Sequence, residues 1–109
     1  MTILLGHLVA SDVPLPPGAE AVPVAGLTAD SRAVRPGFVF AALPGTHVDG
    51  SRFIPQAIAA GAVAVIAGEG AQASGVPLIS ASNPRLLFAH MAARFHGRQP
   101  DTIVAVTGT

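Results

Sequence analysis

The sequence predicts an α/β domain, and three observations predict it. Short apolar runs at 38–43, 62–67 and 76–80 are each bounded by turn residues and read as buried strands. Helical spacing appears between and after them, at 51–60 and 84–96. The chain has 109 residues, half of them hydrophobic and 11% charged, which suits one compact domain and excludes a disordered chain. Strands alternating with helices are the pattern of an α/β sheet.

Each element has a local reason. Residues 11–23 hold four prolines and a glycine and read as loop. Residues 24–30 alternate weakly and read as a short strand. Arg35-Pro36-Gly37 is a turn, since Pro presets φ and Gly permits positive φ. The strand at 38–43 follows, then a loop at 44–50 with two glycines. In the helix at 51–60, Phe53, Ala57 and Ala60 share a face, Ser51 is the expected N-cap and Gly61 the expected stop. Pro55 is tolerable there only in the first turn. In the helix at 84–96, Asn83 caps, Pro84 takes the first position and Gly97 ends it. Leu87, His90, Met91 and Arg94 lie on one side; Leu86, Ala89, Ala93 and His96 lie near another. A last apolar strand is expected at 103–106, running into Thr107-Gly108-Thr109.

Composition narrows the function. Six basic residues, all arginine, balance six acidic ones, which argues against a nucleic-acid or anionic-membrane binder. No cysteine means no disulfide scaffold, no thiolate metal site and no thiol nucleophile. His90 and His96 stand six apart, do not share a helix face and have no patterned carboxylate partner, so no metal site is expected. The N-terminus lacks the basic and apolar regions of a signal peptide, and no run reaches the ~20 apolar residues a membrane span needs. The expected location is the cytoplasm.

Two segments carry chemistry. Asp30-Ser31-Arg32 combines turn formers with a guanidinium able to clamp a diphosphate. His47 sits in the Gly-flanked loop, where an imidazole could bond or stack on a base. Asp30 and Asp49 are not placed together by anything in the sequence, and no catalytic residue is assigned. Residues 104–109 are an apolar strand entering a Gly turn, as before a phosphate-binding loop, but the chain has no lysine to complete such a cradle.

Taken in order, Leu27-Thr28-Ala29-Asp30-Ser31-Arg32, then Arg35-Pro36-Gly37-Phe38-Val39-Phe40-Ala41-Ala42, then Gly45-Thr46-His47-Val48-Asp49-Gly50, then a helix ending in Gly61-Ala62, resemble the N-terminal domain of the Mur ligases. Arg94-Phe95-His96-Gly97-Arg98-Gln99-Pro100 followed by 104–109 resembles that family's entry into its ATP-binding domain. Within the family the chain looks most like the ligases that add the third residue of the peptidoglycan stem peptide. Those adding the terminal D-Ala-D-Ala are the nearest alternative, and a stand-alone nucleotide-sugar or interaction module is a further one.

The resemblance implies a small mixed β-sheet flanked by helices. It implies residues 1–82 as a UDP-substrate-binding domain and 83–109 as the helix and strand leading into a central ATP-binding domain. It implies UDP-N-acetylmuramoyl-L-Ala-D-Glu as the ligand, with ATP and Mg2+ serving the full-length enzyme and neither expected on this segment, which alone should be inactive. Residue by residue, Ala29, Ser31, Thr46, His47 and Val48 match positions lining the UDP pocket. Asp30, Arg32, Asp49 and Gly50 match supporting motif positions, and Gly108 and Thr109 the start of the ATP loop. Family sequences often carry a bulkier apolar residue where this chain has Ala29, which predicts weaker contact with the uracil ring.

Overall fold

A parallel sheet sits between helices on its two faces. The structure, a computed structural model, describes residues 2–43, 50–73 and 75–98. In chain order the elements are β1 (Ile3–Leu4), α1 (Leu5–Val9), β2 (Pro23–Val24), β3 (Gly26–Thr28), β4 (Phe38–Ala42), α2 (Ile54–Ala59), β5 (Ala64–Ala67), β6 (Leu78–Ser80) and α3 (Pro84–Arg98). Short 3-10 turns at Ala19–Ala21, Ser31–Ala33 and Gly50–Phe53 punctuate the connections. β3, β4, β5 and β6 form a four-stranded sheet in sequential order, every neighbouring pair parallel. β1 and β2 pair antiparallel in a separate ribbon, so the domain combines both senses of pairing.

Alternation along the strands divides the core in two. Val39 and Ala41 of β4 and Ala64 and Ile66 of β5 join α1 and α3 through Leu5, Leu8, Leu87, Met91 and Phe95. Phe40 and Ala42, with Val65 and Ala67, join Ile54 and Ala57 of α2. All four residues of β5 are buried. That is the continuous apolar run a strand covered on both faces requires. It is also why these strands are readable without alternation.

The structure differs from the sequence expectations at several elements. The strand expected at 24–30 is two strands in different sheets, separated at Ala25, whose N–H bonds to the Gly37 carbonyl at 2.8 Å. The stretch read as loop contains the Ala19–Ala21 turn and runs into β2. The helix expected at 51–60 begins later than Ser51. Gly50–Phe53 forms a 3-10 turn, and the cap position of α2 falls on Phe53 with no side-chain bond. Pro55 does sit in the first turn, and Gly61 follows the helix at φ +113°. Asn83 caps α3: its Oδ1 accepts from the Leu86 N–H at 3.1 Å. Gly97 does not end that helix, which runs on to Arg98. A single glycine costs only about 1 kcal/mol in a helix interior, too little to stop a helix whose preceding turn is held by buried Phe95. The strand expected at 103–106 lies outside the described residues.

Candidate functional site

Because β3 to β6 are all parallel, their carboxyl ends share one edge of the sheet. In open α/β sheets that edge is where loops gather to meet ligands. β3 delivers Ala29 to Arg32 there, and its neighbour β4 delivers the chain into 44–49. Thr46, His47, Val48 and Asp49 are outside the described residues, as are Gly108 and Thr109. Chain order nevertheless makes the two segments successors of adjacent strands, Thr28 pairing with Phe40.

The turn after β3 is built from its own side chains. The Thr28 Oγ1 accepts from the Asp30 N–H at 3.1 Å. The Asp30 carboxylate then caps the Ser31–Ala33 turn, accepting from the Arg32 N–H at 2.9 Å. Arg32 also folds its guanidinium back onto that carboxylate, Nε to Oδ1 at 3.1 Å and Nη2 to Oδ2 at 3.3 Å. The Arg32 side chain and then its backbone N–H hold the Asp30 carboxyl below the usual aspartate range, and Asp30 raises Arg32 in return. Both side chains are well exposed, so the pair shapes the turn more than it stabilises the fold. The fork that could have clamped a diphosphate is turned onto Asp30.

Ala29, Asp30, Ser31 and Arg32, together with Phe53, line an open depression of about 390 Å³. The sequence reading put Phe53 inside a helix, on one face with Ala57 and Ala60. Instead it lies at the end of the 3-10 turn that Gly50 opens, 38% exposed. Its residue type was visible in the sequence, but its exposure follows from α2 beginning only at Ile54.

A second polar group was not foreseen. Arg94 on α3 donates to the carbonyls of Leu8 at 2.7 Å and Val9 at 3.2 Å, and to the Asp12 carboxylate at 2.8 Å. His90 meets the same Asp12 oxygen at 3.2 Å through Nδ1. The Arg94 hydrogen bond, ahead of the smaller contribution of His90, lowers the Asp12 pKa. The group ties the end of α1 to α3, and a shallow depression beside it is lined by Ser82, Asn83 and Leu86. Another depression, formed by Ile54, Pro55, Ile58, Gln72 and Ala73, is apolar but for Gln72. Among the described residues no three His, Asp or Glu side chains come together to hold a metal ion, and no helix is long and apolar enough to cross a membrane.

Comparison with known proteins bears on the family and the fold. Residues 23–96 match the model described as Mur ligase family, catalytic domain. A UDP-N-acetylmuramoyl-L-alanyl-D-glutamate--2,6-diaminopimelate ligase of Bradyrhizobium diazoefficiens is 48% identical over 105 residues, covering 96% of this chain and 22% of that protein. The ligase of the same name from Zymomonas mobilis is 50% identical over 105 residues, covering 96% of this chain and 21% of its own length. The chain thus spans about a fifth of the curated relatives it matches. Among solved structures, MurF from Acinetobacter baumannii superposes with a TM-score of 0.70 over 92% of this chain and 22% of that one, at 20% identity, a likeness of fold.

Proposed function

The chain belongs to the Mur ligase family, and from that premise we propose that it is the UDP-anchoring N-terminal domain of a MurE-type ligase. Such an enzyme joins 2,6-diaminopimelate to UDP-N-acetylmuramoyl-L-Ala-D-Glu in peptidoglycan synthesis. The observation that carries the reading is near-half identity, across almost the whole chain, to ligases bearing that name. The MurF alternative has only the 20% structural likeness in its favour.

On this reading the work is divided between domains. Ala29 and Ser31, with Thr46, His47 and Val48, hold the UDP end, and Asp30, Arg32, Asp49 and Gly50 shape the loops that present them. Residues 1–82 are the anchoring unit, and 83–109 lead into a central domain of the same chain, where Gly108 and Thr109 begin the ATP loop. ATP and Mg2+ serve that domain, in the cytoplasm, and the present segment supplies no catalytic group. The D-Glu carboxylate is activated by transfer of the γ-phosphoryl group of ATP, leaving ADP; attack by the diaminopimelate amine on the acyl phosphate forms the amide and releases phosphate and a proton. Binding energy at the distant UDP end orients the reacting carboxylate.

The test is an amide NMR titration of the labelled 109-residue chain with UDP-N-acetylmuramoyl-L-Ala-D-Glu, and with ATP as control. Saturable shifts confined to 29–32 and 46–48, with the UDP ligand alone, are expected. No shift at millimolar ligand overturns a preformed anchor. In the full-length ligase, Ser31→Ala is expected to raise KM for the UDP substrate severalfold while kcat changes little. A large fall in kcat at unchanged KM contradicts an anchoring role.

A further inference from the structure

We infer that Phe53 is the surface on which the nucleotide's base stacks, and that the depression beside it takes the uncharged base end of the ligand, not the diphosphate. This inference rests on the anchoring role proposed above and adds a residue to it. Three observations carry it.

The first is charge. The charged groups lining the depression are Asp30 and Arg32, of opposite sign and bonded to each other through two contacts. Their fields largely cancel, and the guanidinium edge that would grip a phosphate is occupied by a carboxylate. A diphosphate placed there would meet Asp30 as a like charge. A neutral heterocycle would not.

The second is surface chemistry. The apolar lining consists of Ala29 and Phe53. A single methyl group offers a base little contact, whereas an aromatic ring face offers offset stacking. Of the phenylalanines in the core, Phe40 is 1% exposed and Phe95 7%, whereas Phe53 is 38% exposed.

The third is placement. Phe53 ends the 3-10 turn that begins at Gly50, and Pro55 follows in the first turn of α2. Ile54 and Ala57 are buried and fix that turn against the sheet. The ring is therefore presented by an anchored element at the sheet's carboxyl edge, close to the turn after β3.

Base–aromatic stacking is worth enough that its loss weakens binding by roughly 5- to 150-fold. The experiment compares the parent chain with Phe53→Leu and Phe53→Tyr, using UDP and ribose 5-phosphate as probes. In the parent, the uracil H5 and H6 resonances are expected to move upfield and to show contacts to the Phe53 ring protons. Phe53→Leu should lose the upfield shift and bind UDP at least fivefold more weakly. Phe53→Tyr should restore both. Ribose 5-phosphate, which has no base, should bind the parent and Phe53→Leu equally. Equal UDP affinity for the parent and Phe53→Leu overturns the stacking role and leaves the anchoring domain standing. Equal weakening toward both probes in Phe53→Leu also overturns it, because the ring then merely supports the turn. Failure of the parent to bind UDP removes the anchoring reading and this inference with it.

Discussion

Gly61→Ala is expected to destabilise the domain by about 3 kcal/mol, because two independent penalties meet at one position. Gly61 has φ +113°, a conformation that side chains with a Cβ rarely adopt. A Cβ built there would lie 2.6 Å from the Cα and 2.9 Å from the nitrogen of Pro36. Those are backbone atoms of a rigid residue and cannot rotate away. The Gly61 carbonyl also accepts from the Gly37 N–H at 3.0 Å, joining the end of α2 to the turn that starts β4. Relief of the clash would pull that bond apart. For a domain of this size the melting temperature should fall by roughly 15 °C. Equilibrium unfolding in urea measures the loss directly, and a change below about 1 kcal/mol would show that the two segments separate without cost.

Arg94→Met should cost about 2 kcal/mol through the lost charge-assisted bonds to the Leu8 and Val9 carbonyls, while the methionine keeps the aliphatic stem packed. The same substitution removes the main partner of Asp12. The Asp12 pKa is depressed in the folded state. Its contribution is therefore present above the ordinary value of 3.8 and is lost as pH falls through the lower native value. Acid unfolding of Arg94→Met should accordingly be less steep across that window than in the parent, and Asp12→Asn should flatten it similarly. Parallel acid limbs in all three proteins would exclude Asp12 as a contributor.

The parts of the fold legible in sequence are those whose environment leaves a continuous or periodic trace. The runs behind β4 and β5 are apolar throughout because helices cover both faces of the sheet, while the run behind β6, at the sheet's edge, ends on the exposed Ser80. α3 announced itself through Asn83 and Pro84, whose chemistry is local. β1 and α1 escaped, and β2 was merged with β3 into one expected strand, because two residues have no period and a five-residue helix barely completes a turn. Ser51 misled because its side chain suits a cap, yet the preceding Gly50 starts a tighter turn that moves the cap to Phe53.

The site divides in the same way. The turn at 30–32 could be read from Asp30 and Ser31, whose types form turns locally, whereas the bond to Thr28 and the folding of Arg32 back onto Asp30 emerged only in the structure. The group of Asp12, His90 and Arg94 could not, because 82 residues separate Asp12 from Arg94 and tertiary structure alone joins them. Phe53 lay between the two cases: its type was visible, but its exposure depended on where the helix began.

The bond between Arg94 and Leu8 spans 86 positions, and this has a consequence for biosynthesis. β3 to β6 pair with their sequence neighbours and can assemble in order as the chain leaves the ribosome. α2 can cover one face of that sheet before synthesis reaches residue 84. The other face cannot close until α3 emerges, leaving Leu5, Leu8, Val39 and Ile66 without Leu87, Met91 and Phe95. A nascent chain stalled at residue 83 would display a half-covered sheet, the kind of surface that chaperones bind and that aggregates form from. Translation of α3 is thus the committing event for this sheet, and Arg94 arrives late enough to fasten α1 only after its hydrophobic partners are in place.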